Sequence, residues 1–131
     1  MIHGVGTDVV QVSRMEAVWQ RHGERFAMRT LMPEELQWFA RSRNPVRFLA
    51  MHFAAKEAIV KALGTGFRFG IWVRDTGFVP DQRGKPCVIF SDRGRAVCVQ
   101  FGVAGAHVSL TDEAGLVVAM AVAEKPCPGA L

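Results

Sequence analysis

HFAAKEAIVKALGTG, residues 52–66, predicts a long helix with one broad face of small side chains. Asn44 is suited to cap this helix, Pro45 fits its first turn, and Gly64 ends it. Because alanine carries little bulk, a neighbouring element or a ligand can come close to the backbone on this face. At about 100° per residue, the face comprises Ala50, Met51, Ala54, Ala55, Ala58, Ile59 and Ala62.

Glu57 and Lys61 lie four residues apart at the edge of this alanine-rich face. A carboxylate and an ammonium group in that position can be partly removed from water, which strengthens their electrostatic interactions. The alternative is an ordinary surface ion pair one helical turn apart, which is worth about 0.3–0.5 kcal/mol. The spacing alone favours the surface pair.

The N-terminal segment MIHGVGTDVV alternates like a strand and supplies a second carboxylate. Its alternation places Ile2, Gly4, Gly6 and Asp8 on one face, where the two glycines leave space beside the acid. A buried carboxylate is costly unless it is compensated, and a cation would compensate it. Two carboxylates, with waters and phosphate oxygens, are a usual way to hold Mg²⁺. The alternative is that Asp8 caps a turn at the end of the strand.

Two shorter helices are predicted before the long one. SRME, residues 13–16, has the pattern of a capping box with Ser13 as the cap. That helix is expected to run to about His22, where Gly23 stops it. A second short helix is predicted to begin at Pro33, with two glutamates in its first turn that suit the helix dipole.

Alternating and β-branched residues predict several strands after the long helix. Residues 92–102 fit both a strand and a short helix, so the pattern leaves them open. Helices between strands, with antiparallel hairpins, indicate an α+β domain in which a sheet packs against the long central helix. Strands are predicted at residues 70–79, 85–91 and 106–124, with turns at 81–85 and near 112–115.

The length and composition are those of one globular domain. The chain has 131 residues, of which 50% are hydrophobic and 21% charged. We expect the domain to span residues 1–124 and a C-terminal tail to follow at 125–131. Three cysteines without a C-x-x-C pair favour a reducing, cytoplasmic location over a disulfide scaffold. No apolar run approaches the roughly 20 residues of a membrane span, and the N-terminus lacks the pattern of a signal peptide.

The net charge of +4 suits a phosphate-bearing or acidic partner. The sixteen lysines and arginines are spread along the chain, so this charge carries little weight alone. The loop GTGFRFG, residues 64–70, is a weak phosphate-binding signal because it follows a helix and does not begin one. Gly64 is explained as a helix cap, while Gly66 would allow a ligand to lie against the backbone.

Four motifs occur in the order of a known family: GVGTDVV at residues 4–10, RFLAMHFAAKEAIVKALGTG at 47–66, GKP at 84–86 and HVSLTDE at 107–113. This arrangement resembles the holo-acyl-carrier-protein synthases, which are the short phosphopantetheinyl transferases. The likeness covers about residues 1–124. It implies the transferase fold and favours the functional interpretations of the charged residues over the structural ones.

The resemblance implies transfer of 4′-phosphopantetheine from coenzyme A to a serine of apo acyl carrier protein, in support of fatty acid biosynthesis. The other product would be adenosine 3′,5′-bisphosphate. The family's metal ligands match Asp8 and Glu57, and its helix lysine matches Lys61. Mg²⁺ would link the carboxylates to the pyrophosphate, in keeping with phosphoryl transfer, which depends on positioning and charge neutralisation. Glu57, directly or through a water, is also the candidate base for the serine.

The resemblance also implies where coenzyme A lies, between the helix end and the strands of the GKP and HVS motifs. Gly66 and Lys85 would line the site, and His107 and Thr111 would contact phosphate or ribose. The alternatives are a plain hairpin lysine and a half-buried strand histidine. Enzymes of this family look like trimers with their sites at subunit interfaces, so some of these residues would come from a neighbouring subunit.

The basic side of the first helix fits an acidic carrier protein. Arg14 and Arg21 are seven residues apart and share a face, and Arg25 follows just past the helix. Acyl carrier proteins are acidic, so such a face would speed and orient docking. The alternative is a solvated helix flank.

Two departures from the family pattern affect only details: Gln11 stands where many relatives carry an acid, and Asp112 where some carry a histidine. Two other functions compete with this interpretation. A non-catalytic nucleic-acid-binding module would explain the charge, although the basic residues form no single stripe and no reading motif is present. Another Mg²⁺-dependent nucleotide enzyme could use the same carboxylates.

Overall fold

The chain folds as helices and strands around one long helix. A computed structural model describes residues 1–128, so the last three residues of the predicted tail lie outside the described residues. The helices are α1 (Val12–His22), α2 (Glu24–Thr30), α3 (Pro33–Phe39), α4 (Pro45–Leu63) and α5 (Asp92–Gln100), with a 3₁₀ turn at Val73–Asp75. The strands are β1 (Ile2–Gln11), β2 (Thr76–Pro80), β3 (Pro86–Phe90), β4 (Gly105–Glu113) and β5 (Leu116–Glu124).

Two antiparallel sheets are present within the described residues. The larger has the order β1-β5-β4, so the last strand of the chain pairs with the first. The smaller is the hairpin of β2 and β3. This arrangement confirms the predicted α+β class. None of the described helices has the length and hydropathy that a membrane span needs.

The long helix α4 begins and ends where the sequence predicts. The side chain of Asn44 accepts a hydrogen bond from the Arg47 backbone N–H at 3.1 Å, Pro45 is the first helical residue, and Gly64 ends the helix with a left-handed φ of 83°. The predicted alanine-rich face is fully buried except for Met51, which is half-buried. The helix is therefore enclosed along most of its length.

The backbone of α4 lies directly against β1 because two glycines face it. A Cβ atom at Gly4 would overlap the Ala62 carbonyl oxygen, and one at Gly6 would overlap the Ala58 carbonyl oxygen. Neither contact leaves room for any side chain. The small residues on both elements thus set the distance between helix and strand.

One feature of β1 differs from simple alternation. Gly4, Gly6 and Asp8 share the face toward α4, as predicted, but the register shifts between Ile2 and Gly4. The shift turns Ile2 outward, where it is 59% exposed, and lets the His3 ring bond to the Leu63 carbonyl oxygen at 2.9 Å. The placement of Ile2 on the inner face was therefore wrong.

The start of the first helix also differs from the prediction. Helix α1 begins at Val12, and its N-cap residue makes no side-chain cap, so the predicted capping box at residues 13–16 is wrong. The Val12 N–H bonds instead to the Gly115 carbonyl in the β4–β5 turn at 2.9 Å. This long-range hydrogen bond satisfies a backbone N–H group at the start of α1, a role that was predicted for the capping box. The end of the helix at Gly23 is confirmed.

Three other segments add to or correct the sequence prediction. Helix α2 was not predicted at all. The segment before β2 turns as a 3₁₀ helix, so only Thr76–Pro80 of the predicted strand at 70–79 is a strand. The open segment 92–102 contains α5, which Ser91 caps by accepting a bond from the Gly94 N–H at 3.0 Å.

A buried ionic cluster joins α3 and β2 to the far side of α4. The Glu35 carboxylate accepts bonds from the Lys56 ammonium, the His52 ring and the Met32 backbone N–H. Lys56 also donates to the Thr76 carbonyl at 2.6 Å. Burial of such charges is tolerated only when every polar atom is paired, as it is here. The cluster fixes the side of α4 opposite β1.

Candidate active site

Asp8 and Glu57 line one cavity of about 550 Å³, although they are distant along the chain. The cavity lies between β1, α1, α2 and α4. Its remaining lining is mostly apolar: Val9, Val10, Gln11, Arg14, Met15, Val18, Phe26 and Phe53. The structure therefore brings the two predicted metal-ligating carboxylates together.

The close approach of α4 to β1 explains this convergence. Asp8 is two residues beyond Gly6 on the same face of β1, and Glu57 directly precedes Ala58, whose carbonyl oxygen lies over Gly6. The carboxylates consequently flank the tightest contact between the two elements.

Lys61 pairs with Asp8 and not with Glu57. Its ammonium group donates to the Thr7 carbonyl oxygen at 2.9 Å and lies 3.3 Å from Asp8 Oδ1. None of the ion pairs among residues 1–128 joins Lys61 to Glu57. The surface pair that the spacing favoured is therefore not formed. The Lys61 side chain is 51% exposed and that of Asp8 is 18% exposed.

The electrostatics of the cavity favour a bound cation. Burial raises the pKa of the Glu57 carboxyl above its usual range, the negative charge of Asp8 raises it further, and Lys61 partly opposes this effect. Two carboxylates that repel each other in a partly buried cavity fit a divalent ion. Residues 1–128 gather no group of three or more acidic, histidine or cysteine ligands. A metal held by this pair would thus keep positions for waters and phosphate oxygens, as Mg²⁺ does.

The basic residues predicted for docking are all exposed. Arg14 lies on α1 and reaches the rim of the cavity that contains both carboxylates. Arg21 lies further along α1, and Arg25 lies in the first turn of α2. A basic surface therefore adjoins the acidic cavity.

The residues predicted to contact coenzyme A do not meet the carboxylates within one chain. Gly66 follows α4 with a left-handed φ of 60°, and no atom would obstruct a Cβ there. Lys85 lies in the β2–β3 turn and lines a second cavity of about 440 Å³, together with Ser109 of β4. His107 and Thr111 are exposed on β4, on the face of the sheet away from α4.

The sheet register explains this separation. Thr111 pairs with Val118 on β5, and Val118 pairs with Val9 on β1. Two strand spacings of about 10 Å in total therefore lie between Thr111 and β1, and the side chain of Asp8 points to the opposite face. The side chain of His107 lies close to that of Glu124, with His107 Nε2 and Glu124 Oε1 3.3 Å apart.

Sequence reasoning missed the apolar part of the cavity. Phe53 lies one helical turn before Glu57 and therefore shares its side of α4, a spacing that the sequence already contains. Phe26 belongs to the unpredicted helix α2, and its ring packs against Phe53 with centroids 6.2 Å apart. The sequence therefore contained a pattern that could have identified Phe53, but none that could have identified Phe26.

Comparisons with known proteins agree in one family. The family model described as the 4′-phosphopantetheinyl transferase superfamily matches residues 4–121. A holo-[acyl-carrier-protein] synthase of Aromatoleum aromaticum is 47% identical over 125 residues, which are 95% of this chain and 99% of that protein.

Two solved structures extend the comparison to the fold. The crystal structure of holo-[acyl-carrier-protein] synthase from Neisseria meningitidis matches with a TM-score of 0.90 and 40% identity, over 95% of this chain and 100% of that one. The Helicobacter pylori synthase, solved in complex with coenzyme A, matches with a TM-score of 0.79 and 25% identity, over 92% and 99% of the two chains.

Proposed function

The chain belongs to the 4′-phosphopantetheinyl transferase superfamily, and we propose that it transfers 4′-phosphopantetheine from coenzyme A to a serine of an apo acyl carrier protein. Adenosine 3′,5′-bisphosphate is the other product. The observation that carries this proposal is the convergence of Asp8 and Glu57 in one cavity beside Lys61. The cysteine usage fits a cytoplasmic enzyme that supports fatty acid biosynthesis.

The reaction is a phosphoryl transfer. The serine oxygen forms a bond to the phosphorus that carries the pantetheine arm, and the bond from that phosphorus to the bridging oxygen of the pyrophosphate breaks. Asp8 and Glu57 would hold a Mg²⁺ ion, which would supply positive charge to the pyrophosphate oxygens. Lys61 stabilises the negative charge on the leaving adenosine bisphosphate.

Glu57 is also the candidate base for the serine proton, directly or through a water. Its position supports this role, because the carboxylate lines the cavity in which the coenzyme A pyrophosphate would be held. Burial and the negative charge of Asp8 both raise the pKa of Glu57, so the two carboxylates act on each other as well as on a metal.

We further propose that the enzyme is a homotrimer with its sites at subunit interfaces. The outer face of the larger sheet supports this, since it exposes apolar side chains that no element within residues 1–128 covers: Val5 at 63%, Val9 at 58% and Met120 at 46%. Register places His107 and Thr111 on this same face. When two subunits meet at this face, one subunit can therefore supply His107, Thr111, Lys85 and Gly66 to coenzyme A that is bound at the carboxylates of the other subunit.

Arg14, Arg21 and Arg25 form the proposed docking surface for the carrier protein. Because Arg14 also lines the acidic cavity, an acidic protein bound along α1 presents a serine close to Asp8 and Glu57. The relatives described above are holo-[acyl-carrier-protein] synthases, which favours this function over a nucleic-acid-binding module or an ATP-dependent enzyme.

The central experiment measures the mass of an apo carrier protein after incubation with the enzyme, coenzyme A and Mg²⁺. We expect a gain of one phosphopantetheine group, and a rate at least about 100-fold lower for Asp8→Ala, because the charge on the pyrophosphate is then poorly neutralised. Asp92→Ala, an exposed aspartate in the first turn of α5, is the matched control and should keep its rate. The proposal would be overturned if the carrier protein gained no mass and the chain instead shifted RNA or DNA in electrophoresis or turned over ATP.

Reversal of charge at Arg14 and Arg21 tests the docking surface. The double variant to glutamate should raise KM for the carrier protein on the order of tenfold and KM for coenzyme A by clearly less, because Arg21 lies outside the lining of the cavity whereas a protein partner would contact both arginines. The control reverses Arg95 on α5, on which neither KM should depend. Equal increases for both substrates in the double variant would contradict docking at α1.

Mixed oligomers test whether sites are shared between subunits. One inactive variant carries Asp8→Ala and the other carries His107→Ala, Thr111→Ala and Lys85→Ala. Co-expressed in equal amounts, they should regain about a quarter of wild-type activity, because a random cyclic trimer pairs intact halves at one interface in four. Activity that stays at the level of the separate variants would contradict a shared site.

A further inference from the structure

The ammonium group of Lys61 contacts one of the two carboxylates of the cavity. Its two hydrogen-bond partners, the Thr7 carbonyl oxygen and Asp8 Oδ1, both belong to β1. Glu57, on the same helix as Lys61, has no ion-pair partner among residues 1–128. Arg14 also lines the cavity, but no ion pair among residues 1–128 joins it to either carboxylate, so Lys61 is the cation that is paired with one of them.

We propose that Lys61 is an internal counter-ion, which holds Asp8 until a divalent ion displaces it and which is then free to bind the phosphates of coenzyme A. This inference rests on the proposed function, because it assumes that Asp8 and Glu57 are the metal ligands. It assigns to Lys61 a second role, as a positioning residue for metal and substrate.

Charge balance supports the exchange. With Lys61 paired to Asp8, the three groups Asp8, Glu57 and Lys61 together keep one negative charge, and Arg14 forms no ion pair with either carboxylate among residues 1–128. A divalent ion neutralises both carboxylates, so the ammonium is no longer needed there and its charge becomes surplus. The released Lys61 ammonium group can then attract the negatively charged diphosphate of coenzyme A beside the metal.

The side chain of Lys61 is able to make this movement. It is 51% exposed, and it lies near the last turn of α4, one turn before the Gly64 cap. A half-exposed ion pair is weak, because water competes for both charges. The pair can consequently be broken by a divalent ion without disturbing the packing of α4 on β1.

Metal binding without coenzyme A provides the test. Mn²⁺ is titrated into the full-length protein by calorimetry, and Lys61→Met should bind it on the order of threefold to tenfold more tightly than the wild type, because the competing charge is gone. Lys61→Arg keeps the charge and should bind Mn²⁺ like the wild type. Lys125→Met, an exposed lysine just after β5, is the matched control and should also leave the affinity unchanged.

Two outcomes separate this inference from the proposed function. Asp8→Asn and Glu57→Gln should each weaken Mn²⁺ binding, and if neither does, the metal site itself is wrong. If they do, but Lys61→Met binds Mn²⁺ no more tightly than the wild type, the metal site stands and the counter-ion role is overturned.

A spectroscopic measurement follows the ammonium group directly. In protein labelled with ¹³C at the lysine ε-carbons, the Lys61 signal, assigned with Lys61→Arg, should move when Mg²⁺ is added. In Asp8→Asn the signal should already lie near its displaced position and should respond little to Mg²⁺. A Lys61 signal that Mg²⁺ leaves unchanged in the wild type would overturn the displacement.

Discussion

The backbone of α4 lies against β1 with no side chain between them at Gly4 and Gly6. This contact determines the rest of the site, because it places the end of one strand beside the middle of one helix. Alanines on α4 make the contact possible, and the buried cluster around Glu35 holds the opposite side of the helix. A larger residue at Gly4 or Gly6 would have to separate the two elements, and Asp8 would move away from Glu57 with them.

The chemistry follows from that placement. Two partly buried carboxylates raise the cost of negative charge, as the raised pKa of Glu57 records, and one half-exposed lysine offsets only part of it. A divalent ion, as proposed, would neutralise the carboxylates and bind the phosphates of the substrate. The remaining predicted contacts, such as His107, lie on the other face of the sheet beside exposed valines. The carboxylates and these predicted contacts therefore face in different directions on one chain, which is why we propose a site shared between subunits.

The sequence predicted what local rules control. The caps of α4, its alanine face and the glycine alternation of β1 follow from periodicity and from the residues that end helices. What depends on distant partners was missed. Nothing near Ser13 revealed that the Gly115 carbonyl would satisfy the start of α1. Nothing near Glu35 revealed that it would be buried beside Lys56, because the two come together only through tertiary packing. Lys61 was expected beside its helical neighbour, yet it reaches across to β1.

The most direct test of this account is a crystal of the protein soaked in Mn²⁺ and examined by anomalous scattering. We predict one anomalous peak in the cavity, bound by one carboxylate oxygen of Asp8 and one of Glu57, with waters in the other positions. A peak bound elsewhere, or carboxylates that remain apart with no ion between them, would contradict the claim that the packing of α4 on β1 builds a metal site.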